Sequence, residues 1–228
     1  MEKKIKMLLL NGSPRKNANT AQILVKVQEG ANVAGAETKL LHLYDYQYQG
    51  CKSCFACKLK NSKTNGLCAI HDQLRPVLEE ALAADSLVLG SPVYFAMPTG
   101  QVRSFFERLA FPNYSYELDE TGMPKQIRQK KIPAAFVYTM GAPKEYAQQM
   151  HYDTLLGITG NFLGSIFGEN ENMYVYDTYQ FTDYEKYAAG GTDIALKQKI
   201  RDKEFPKDLA AAYELGQRLA RKARENKS

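Results

Sequence analysis

Short apolar runs alternate with longer stretches of helical periodicity along this chain. Ile5–Leu10 is the first run, and it stops at Asn11-Gly12. Ile23, Leu24 and Val27 then recur at helical spacing, which predicts a helix over Asn19–Val33 ended by Gly35. A second strand is expected at Thr38–Leu43. Asp72 is read as the cap of a second helix that turns Leu74, Val77, Leu78 and Leu82 inward. Ser86–Gly90 is a continuous apolar run, the pattern of a strand buried on both faces. A third helix begins after Pro98 and carries Val102, Phe105, Phe106 and Leu109. Asn113–Lys131 is polar and reads as irregular. Ile132–Thr139 is the fourth strand. A helix follows Pro143 to about Gly160, and Ser165–Val175 reads as a fifth strand interrupted by Gly168. The last helix runs to Arg224, starting at Thr192 or at Pro206.

Strands that alternate with helices predict an α/β fold with a parallel sheet covered on both faces. Five strands suit a flavodoxin-like three-layer sandwich of order 2-1-3-4-5. We read residues 1–228 as one domain, with a cysteine-containing insertion at about 44–71 and a Tyr-rich segment at about 174–187. In such sheets ligands lie beyond the carboxyl ends of the strands, at the switch point. That rule brings together the loops after strands one, three and four.

Composition narrows the class. Hydrophobic residues make up 44% of the chain, enough for a continuous core, and the formal net charge is +5. The densest basic patch, Arg218-Leu-Ala-Arg-Lys-Ala-Arg224, reads as a solvated helix end that suits the helix dipole. No nucleic-acid motif accompanies it, so no nucleic-acid partner is expected. Lys3, Lys4 and Lys6 precede an apolar run too short for a secretory leader, whose core needs about 7–15 residues. No run approaches the roughly 18 apolar residues of a membrane span. The expectation is a cytoplasmic protein whose cysteines stay reduced.

The first loop, Asn11-Gly-Ser-Pro-Arg-Lys-Asn-Ala-Asn-Thr20, joins a strand to a helix start. Unpaired N–H groups and the helix dipole favour an anion there. Ser13 and Thr20 add hydroxyls, Asn17 and Asn19 add amides, and Arg15 adds a planar cation. The loop lacks the Gly-Lys-Ser/Thr of nucleotide triphosphate loops and the G-x-G-x-x-G of dinucleotide folds. An ordinary capped βα turn remains the plain alternative.

The loop after strand three reads Gly90-Ser-Pro-Val-Tyr-Phe-Ala-Met-Pro-Thr-Gly100. Its aromatics beside backbone amides suit a flat heteroaromatic ring with polar edges, or else a plug at the sheet end. The loop after strand four, Tyr138-Thr-Met-Gly-Ala-Pro143, offers a hydroxyl and a flexible glycine. Together the first two loops resemble those of the NAD(P)H-dependent FMN reductases of the flavodoxin-like superfamily, most closely the branch with the iron–sulfur flavoproteins. The resemblance covers Ile5 to about Gly141. It implies non-covalent FMN, with Ser13, Arg15, Asn19, Thr20 and Ala21 at the phosphate. It also implies Pro92, Val93, Tyr94 and Phe95 along the isoalloxazine ring, and Thr139, Met140 and Gly141 on its other edge. NAD(P)H is then the co-substrate, giving a hydride to the flavin. A quinone, a nitro or azo compound or another small molecule is the electron acceptor. The resemblance further implies a homodimer.

All four cysteines fall in Cys51-x-x-Cys54-x-x-Cys57 and, after ten residues, Cys68. The spacing leaves open a [4Fe–4S] cluster, zinc, or free thiols; Lys52, Lys58, Lys60 and Lys63 around them either lower the thiol pKa values and favour an anionic partner or are simply solvated. The alternative activity is that of an iron–sulfur flavoprotein or flavodoxin-like electron carrier between protein partners; in the iron–sulfur version the cysteine cluster relays single electrons. His42, His71 and His151 share no spacing with a nucleophile and read as structural. The Tyr174–Tyr187 stretch is read as a lid, a subunit contact or plain surface. No catalytic side chain is assigned.

Overall fold

The computed structural model describes residues 4–128 and 130–227. Lys3, part of the leader reading, and Gln129, part of the stretch read as irregular, lie outside them. In chain order the elements are β1 (Ile5–Asn11), α1 (Asn19–Val33), β2 (Ala36–His42), α2 (Arg75–Ala83), β3 (Ser86–Tyr94), β4 (Met97–Pro98) and α3 (Gly100–Asn113). Then follow β5 (Tyr114–Leu118), β6 (Pro124–Gln126), β7 (Ile132–Thr139), α4 (Lys144–Gln149), α5 (Tyr152–Phe167), β8 (Gly168–Val175) and α6 (Ile194–Glu225).

Five parallel strands form one sheet of order β2-β1-β3-β7-β8. This is the flavodoxin-like order expected from the alternating pattern. Successive residues of β1 enter opposite layers, as strand pleating requires. Leu8 and Leu10 join a core with Val77, Leu78, Phe105, Leu109, Phe136 and Leu163, beneath α2, α3 and α5. Met7 and Leu9 join Ile23, Val27, Val88, Val137, Leu215 and Leu219, beneath α1 and α6. Both faces of the central strands are therefore dry, which is why they read as unbroken apolar runs.

The α1–α6 contact depends on two glycines. A Cβ at Gly30 would stand 1.9 Å from the Tyr213 carbonyl oxygen, and one at Gly216 would stand 2.0 Å from that of Val27. The helices touch backbone to backbone, so neither position accepts a side chain.

Five boundaries differ from expectation. The third strand continues to Tyr94 and folds back through β4. The stretch read as irregular contains the antiparallel hairpin β5–β6. The single helix expected from Pro143 to Gly160 is two, α4 and α5, parted at His151 with a φ of 54°; the second runs on to Phe167, and β8 starts at Gly168, whose φ of 106° only glycine adopts readily. The last helix starts at Ile194, with the Asp193 carboxylate accepting from the Leu196 N–H, and it passes through Pro206. Its packing on α1 offsets the one backbone bond that proline removes. Asp72 lies outside α2, whose cap is Leu74; its carboxylate accepts from the Leu74 N–H at 3.1 Å and is also bonded by Arg108 of α3.

Candidate functional site

Strand β1 ends in a loop tied down from both sides. The Asn11 side-chain oxygen accepts from the Ser13 N–H at 2.9 Å, and the Ser13 hydroxyl accepts from the Arg15 N–H at 3.1 Å. The Gly12 N–H donates to the Gly90 carbonyl at 2.7 Å, binding the first loop to β3. Thr99, the cap of α3, donates its hydroxyl to the Gly12 carbonyl at 2.9 Å. Ser91 accepts from the Thr99 N–H at 3.0 Å and donates to the Pro92 carbonyl at 2.8 Å. Ser13, Ser91 and Thr99 are all buried. The loops after β1 and β3 thus form one hydrogen-bonded body. The loop after β7 joins it through a buried hydroxyl pair, Thr20 Oγ1 to Thr139 Oγ1, at 2.7 Å.

These loops enclose a cavity of about 270 Å³. Ser13, Arg15, Asn19 and Thr20 line one part of it. Pro92, Val93, Tyr94 and Phe95 line another, and Thr139, Met140 and Gly141 a third. Of the residues singled out in these loops, Asn17 and Ala21 do not line it; Ala21 is buried in α1. Ala18, Thr178 and Gln180 also line the cavity. Sequence reading assigned none of these three a role, although Thr178 and Gln180 belong to the Tyr-rich segment.

The wall formed by β3 and β4 is strained. Val93 pairs with Pro98 and Tyr94 with Met97, leaving Phe95 and Ala96 as the two residues of the turn. Their φ values are 49° and 63°. Such a two-residue turn needs positive φ at both positions and normally uses Asn-Gly. Here a fully exposed phenylalanine occupies it. Non-glycine residues held this way cluster at functional sites, because surrounding structure must enforce them.

The Tyr-rich segment crosses the phosphate-type end of the cavity. Arg15 donates to the Gln180 carbonyl at 2.6 Å, and the Asn19 amide donates to the Tyr179 carbonyl at 2.9 Å. The Thr178 N–H donates to the Met140 carbonyl at 3.0 Å and the Asp177 N–H to that of Ala142 at 3.0 Å. The segment is therefore a strap bonded to two of the three loops.

The cysteines lie elsewhere and are not gathered. Cys54 is exposed, Cys51 and Cys57 are half-buried, and Cys68 is buried. Among the described residues no group of three or more His, Cys, Asp or Glu side chains is arranged to hold a metal ion. Cys68 Sγ accepts from Arg108 Nε at 3.4 Å. Burial pushes the Cys57 thiol above its ordinary value, and the nearby Lys58 ammonium only partly opposes this. At that thiol, burial outweighs the lowering that a lysine supplies. Lys58 is directed instead to the carbonyls of Phe111 and Tyr114 and lies 4.6 Å from the Phe111 ring centroid.

Arg108, which sequence reading missed as anything but a helix position, anchors the whole insertion. It is buried, and Nη1 and Nη2 bond Asp72 at 2.5 and 2.9 Å. The same two nitrogens reach the Gln49 and Ile70 carbonyls at 3.3 and 3.1 Å. Burial alone would raise the Asp72 carboxyl, but the Arg108 bonds outweigh it and hold the carboxyl below its ordinary value.

A family model for NADPH-dependent FMN reductases matches residues 5–161. The chain belongs to that family. Among the chain's relatives, an iron–sulfur flavoprotein of Archaeoglobus fulgidus is 38% identical over 104 residues, 46% of this chain and 48% of the relative. An FMN-dependent NADH:quinone oxidoreductase of Gluconacetobacter diazotrophicus is 32% identical over 91 residues, 39% of this chain and 45% of the relative. The chain thus spans about half the length of the curated relatives it matches. An NAD(P)H:quinone oxidoreductase from Methanothermobacter marburgensis superposes with a TM-score of 0.64 at 14% identity, covering 95% of this chain and 98% of the other. That likeness supports the flavodoxin-like fold.

The donor set of the cavity fits the cofactor for which the family is named. Ala18, the cap of helix α1, offers no side-chain acceptor, and the helix's first turn holds no carboxylate to compete with an anion. Arg15 supplies the positive charge beside it. Tyr94 and Phe95 offer apolar faces at the other end of the cavity. The cysteines, by contrast, do not fit a cluster as they stand, since a cationic donor occupies Cys68 and Cys54 faces solvent.

Proposed function

We propose that this chain binds FMN in the cavity at the carboxyl edge of its sheet and acts as an NAD(P)H-dependent oxidoreductase. The supporting observation is that side chains from three separate loops line one cavity, polar and cationic at one end and aromatic at the other. Ser13, Arg15, Asn19 and Thr20 hold the phosphate with the N–H groups of α1. Pro92–Phe95 and Thr139–Gly141 hold the ring. The flavin, when bound, supplies the hydride chemistry between NAD(P)H and an acceptor. The chain's own contribution is to bind, orient and dry the ring. The Met140 N–H is given to the Val175 carbonyl, so the backbone amides of Phe95 and Gly141, outside the strands, are the groups taken to offset negative charge on it. The acceptor is a small molecule such as a quinone, a nitro or azo compound. Two copies pair in this reading, and the exposed Leu155, Ile158 and Phe162 on one face of α5 are the surface that supports pairing.

The test is a titration of the purified protein with FMN, followed by NAD(P)H oxidation with and without a quinone. Saturable FMN binding and quinone-dependent turnover are expected. Tight FMN binding without turnover would favour the second reading, an electron carrier of the iron–sulfur flavoprotein type. That reading rests on the relatives of that name and on four cysteines confined to residues 51–68. It requires Cys68 to leave Arg108, and it is decided by iron and sulfide assays on protein purified without oxygen.

A further inference from the structure

The family match ends at residue 161, yet the cavity is closed by residues beyond it. Helix α6 approaches the cavity at its N-terminal end with two cations one turn apart. Lys197 donates to the Gly141 carbonyl at 2.9 Å and to the Asp177 carboxylate at 3.3 Å. Both members of that ion pair are largely shielded, with side chains 16% and 12% exposed. Arg201 donates to the Asn19 side-chain oxygen at 2.8 Å. Its guanidinium carbon lies 4.0 Å from the Phe205 ring centroid and 5.3 Å from that of Tyr179. Both cations therefore act on residues that line the cavity, from a helix well separated in sequence.

The geometry of Asn19 gives Arg201 a definite job. An amide side chain has one acceptor end and one donor end, and its orientation is set by its partners. Arg201 takes the oxygen, so the amide NH2 is the end left to donate, and here the Tyr179 carbonyl of the strap accepts from it. Arg201 also brings a second positive charge to the end of the cavity that holds Arg15. Lys197 has a different job. It ties back the carbonyl of Gly141 and fixes the strap through Asp177, whose φ of 51° is itself in the left-handed region. The wall it holds is the one assigned to the ring edge.

We propose that Arg201 and Lys197 are positioning residues of the cofactor site with separate roles, Arg201 for the phosphate end and Lys197 for the ring end. The inference rests on the FMN reading above. It predicts a dissociation that a general structural role does not produce. Arg201→Met weakens FMN about ten-fold or more, the size of a lost charge-assisted contact, and leaves riboflavin, which has no phosphate, within about two-fold. Lys197→Met weakens FMN and riboflavin together. Arg201→Lys, which keeps the charge, recovers part of the FMN affinity.

The measurement is flavin fluorescence titration of the full chain and of each variant with FMN and with riboflavin, beside a thermal melt without ligand. Equal losses for both flavins in Arg201→Met, or no loss for FMN, overturn the assignment of Arg201. A Lys197→Met that binds both flavins as the parent does overturns that of Lys197. If the parent chain itself binds no FMN, the cofactor reading fails first and the inference falls with it. Unchanged melting temperatures in the variants exclude simple unfolding, and Arg201→Gln, closer in shape, repeats the test if Arg201→Met melts early.

Discussion

Replacing Asp72 by asparagine isolates the interaction that holds the cysteine-containing insertion to the sheet. The change keeps the side chain's size and removes its charge. Arg108 has five N–H bonds to give, and two of them go to this carboxylate at 2.5 and 2.9 Å. The remainder go to the Gln49 and Ile70 carbonyls and to Cys68. Removing one partner of a buried pair typically costs about 3–5 kcal/mol, because a charge is left without compensation. The Asp72 side chain is 25% exposed, so water replaces part of the loss and the lower end applies, about 3 kcal/mol. For a chain of this size each kcal/mol moves Tm by roughly 2–4 °C, so the variant should melt about 6–12 °C lower. Calorimetry reads the melt. A thiol reagent reads the local consequence, because Cys68 is buried beside the same guanidinium and should react faster in the variant. Pairing Asp72→Asn with Arg108→Met should recover part of the lost stability, since the orphaned charge goes too. A Tm within about 2 °C of the parent, with Cys68 equally protected, would refute this account of the insertion.

Three further outcomes are expected. Burial raises the Asp85 carboxyl, but bonds from Lys130, Lys227 and the Lys6 N–H overcome this and bring it to about 2. Because the folded value lies below the unfolded one, its stabilisation of roughly 2–3 kcal/mol is present above pH ~4 and is lost as pH falls toward ~2; Asp85→Asn should flatten an acid-unfolding curve in that window. Gly216→Ala should destabilise by at least about 1–3 kcal/mol in a denaturant melt, since its Cβ meets the Val27 carbonyl, which can move only if α1 and α6 separate. Ala96→Gly removes a left-handed strain of about 1–2 kcal/mol and adds about 0.5–1 kcal/mol of unfolded-chain entropy. The net should be a slightly higher Tm, and a lower one would show that the turn is not strained.

The sheet and its ligand edge could be read from the chain because both depend on local pattern. Leu8–Leu10 and Leu87–Leu89 are apolar on both faces, and so short a run fits a strand covered by helices above and below. The parallel order then obliged the three loops to meet, and their lining residues followed from position in the chain. Edge strand β8 was harder, since Glu169 to Asn172 face partly to solvent and carry no apolar signal. The apolar Phe167 before it completes α5 and is not part of the strand. The contributions of Arg108, Lys197 and Arg201 were not readable. Each is a long-range bond from a charged residue on a helix, and such residues look like any solvated face until the partner across the fold is known. The Tyr-rich segment shows the same limit: its composition suggested several roles, and its carbonyls, not its rings, bind the first loop.

The central claim is tested most directly by the flavin content of the purified chain. Protein saturated with FMN, freed of excess by gel filtration and read by its visible absorbance, should retain about one FMN per chain. Ser13→Ala and Arg15→Met should weaken the retained flavin, since each removes a donor at the phosphate end. A protein that retains no FMN after saturation, or one whose retention is untouched by both substitutions, would contradict the assignment of this cavity.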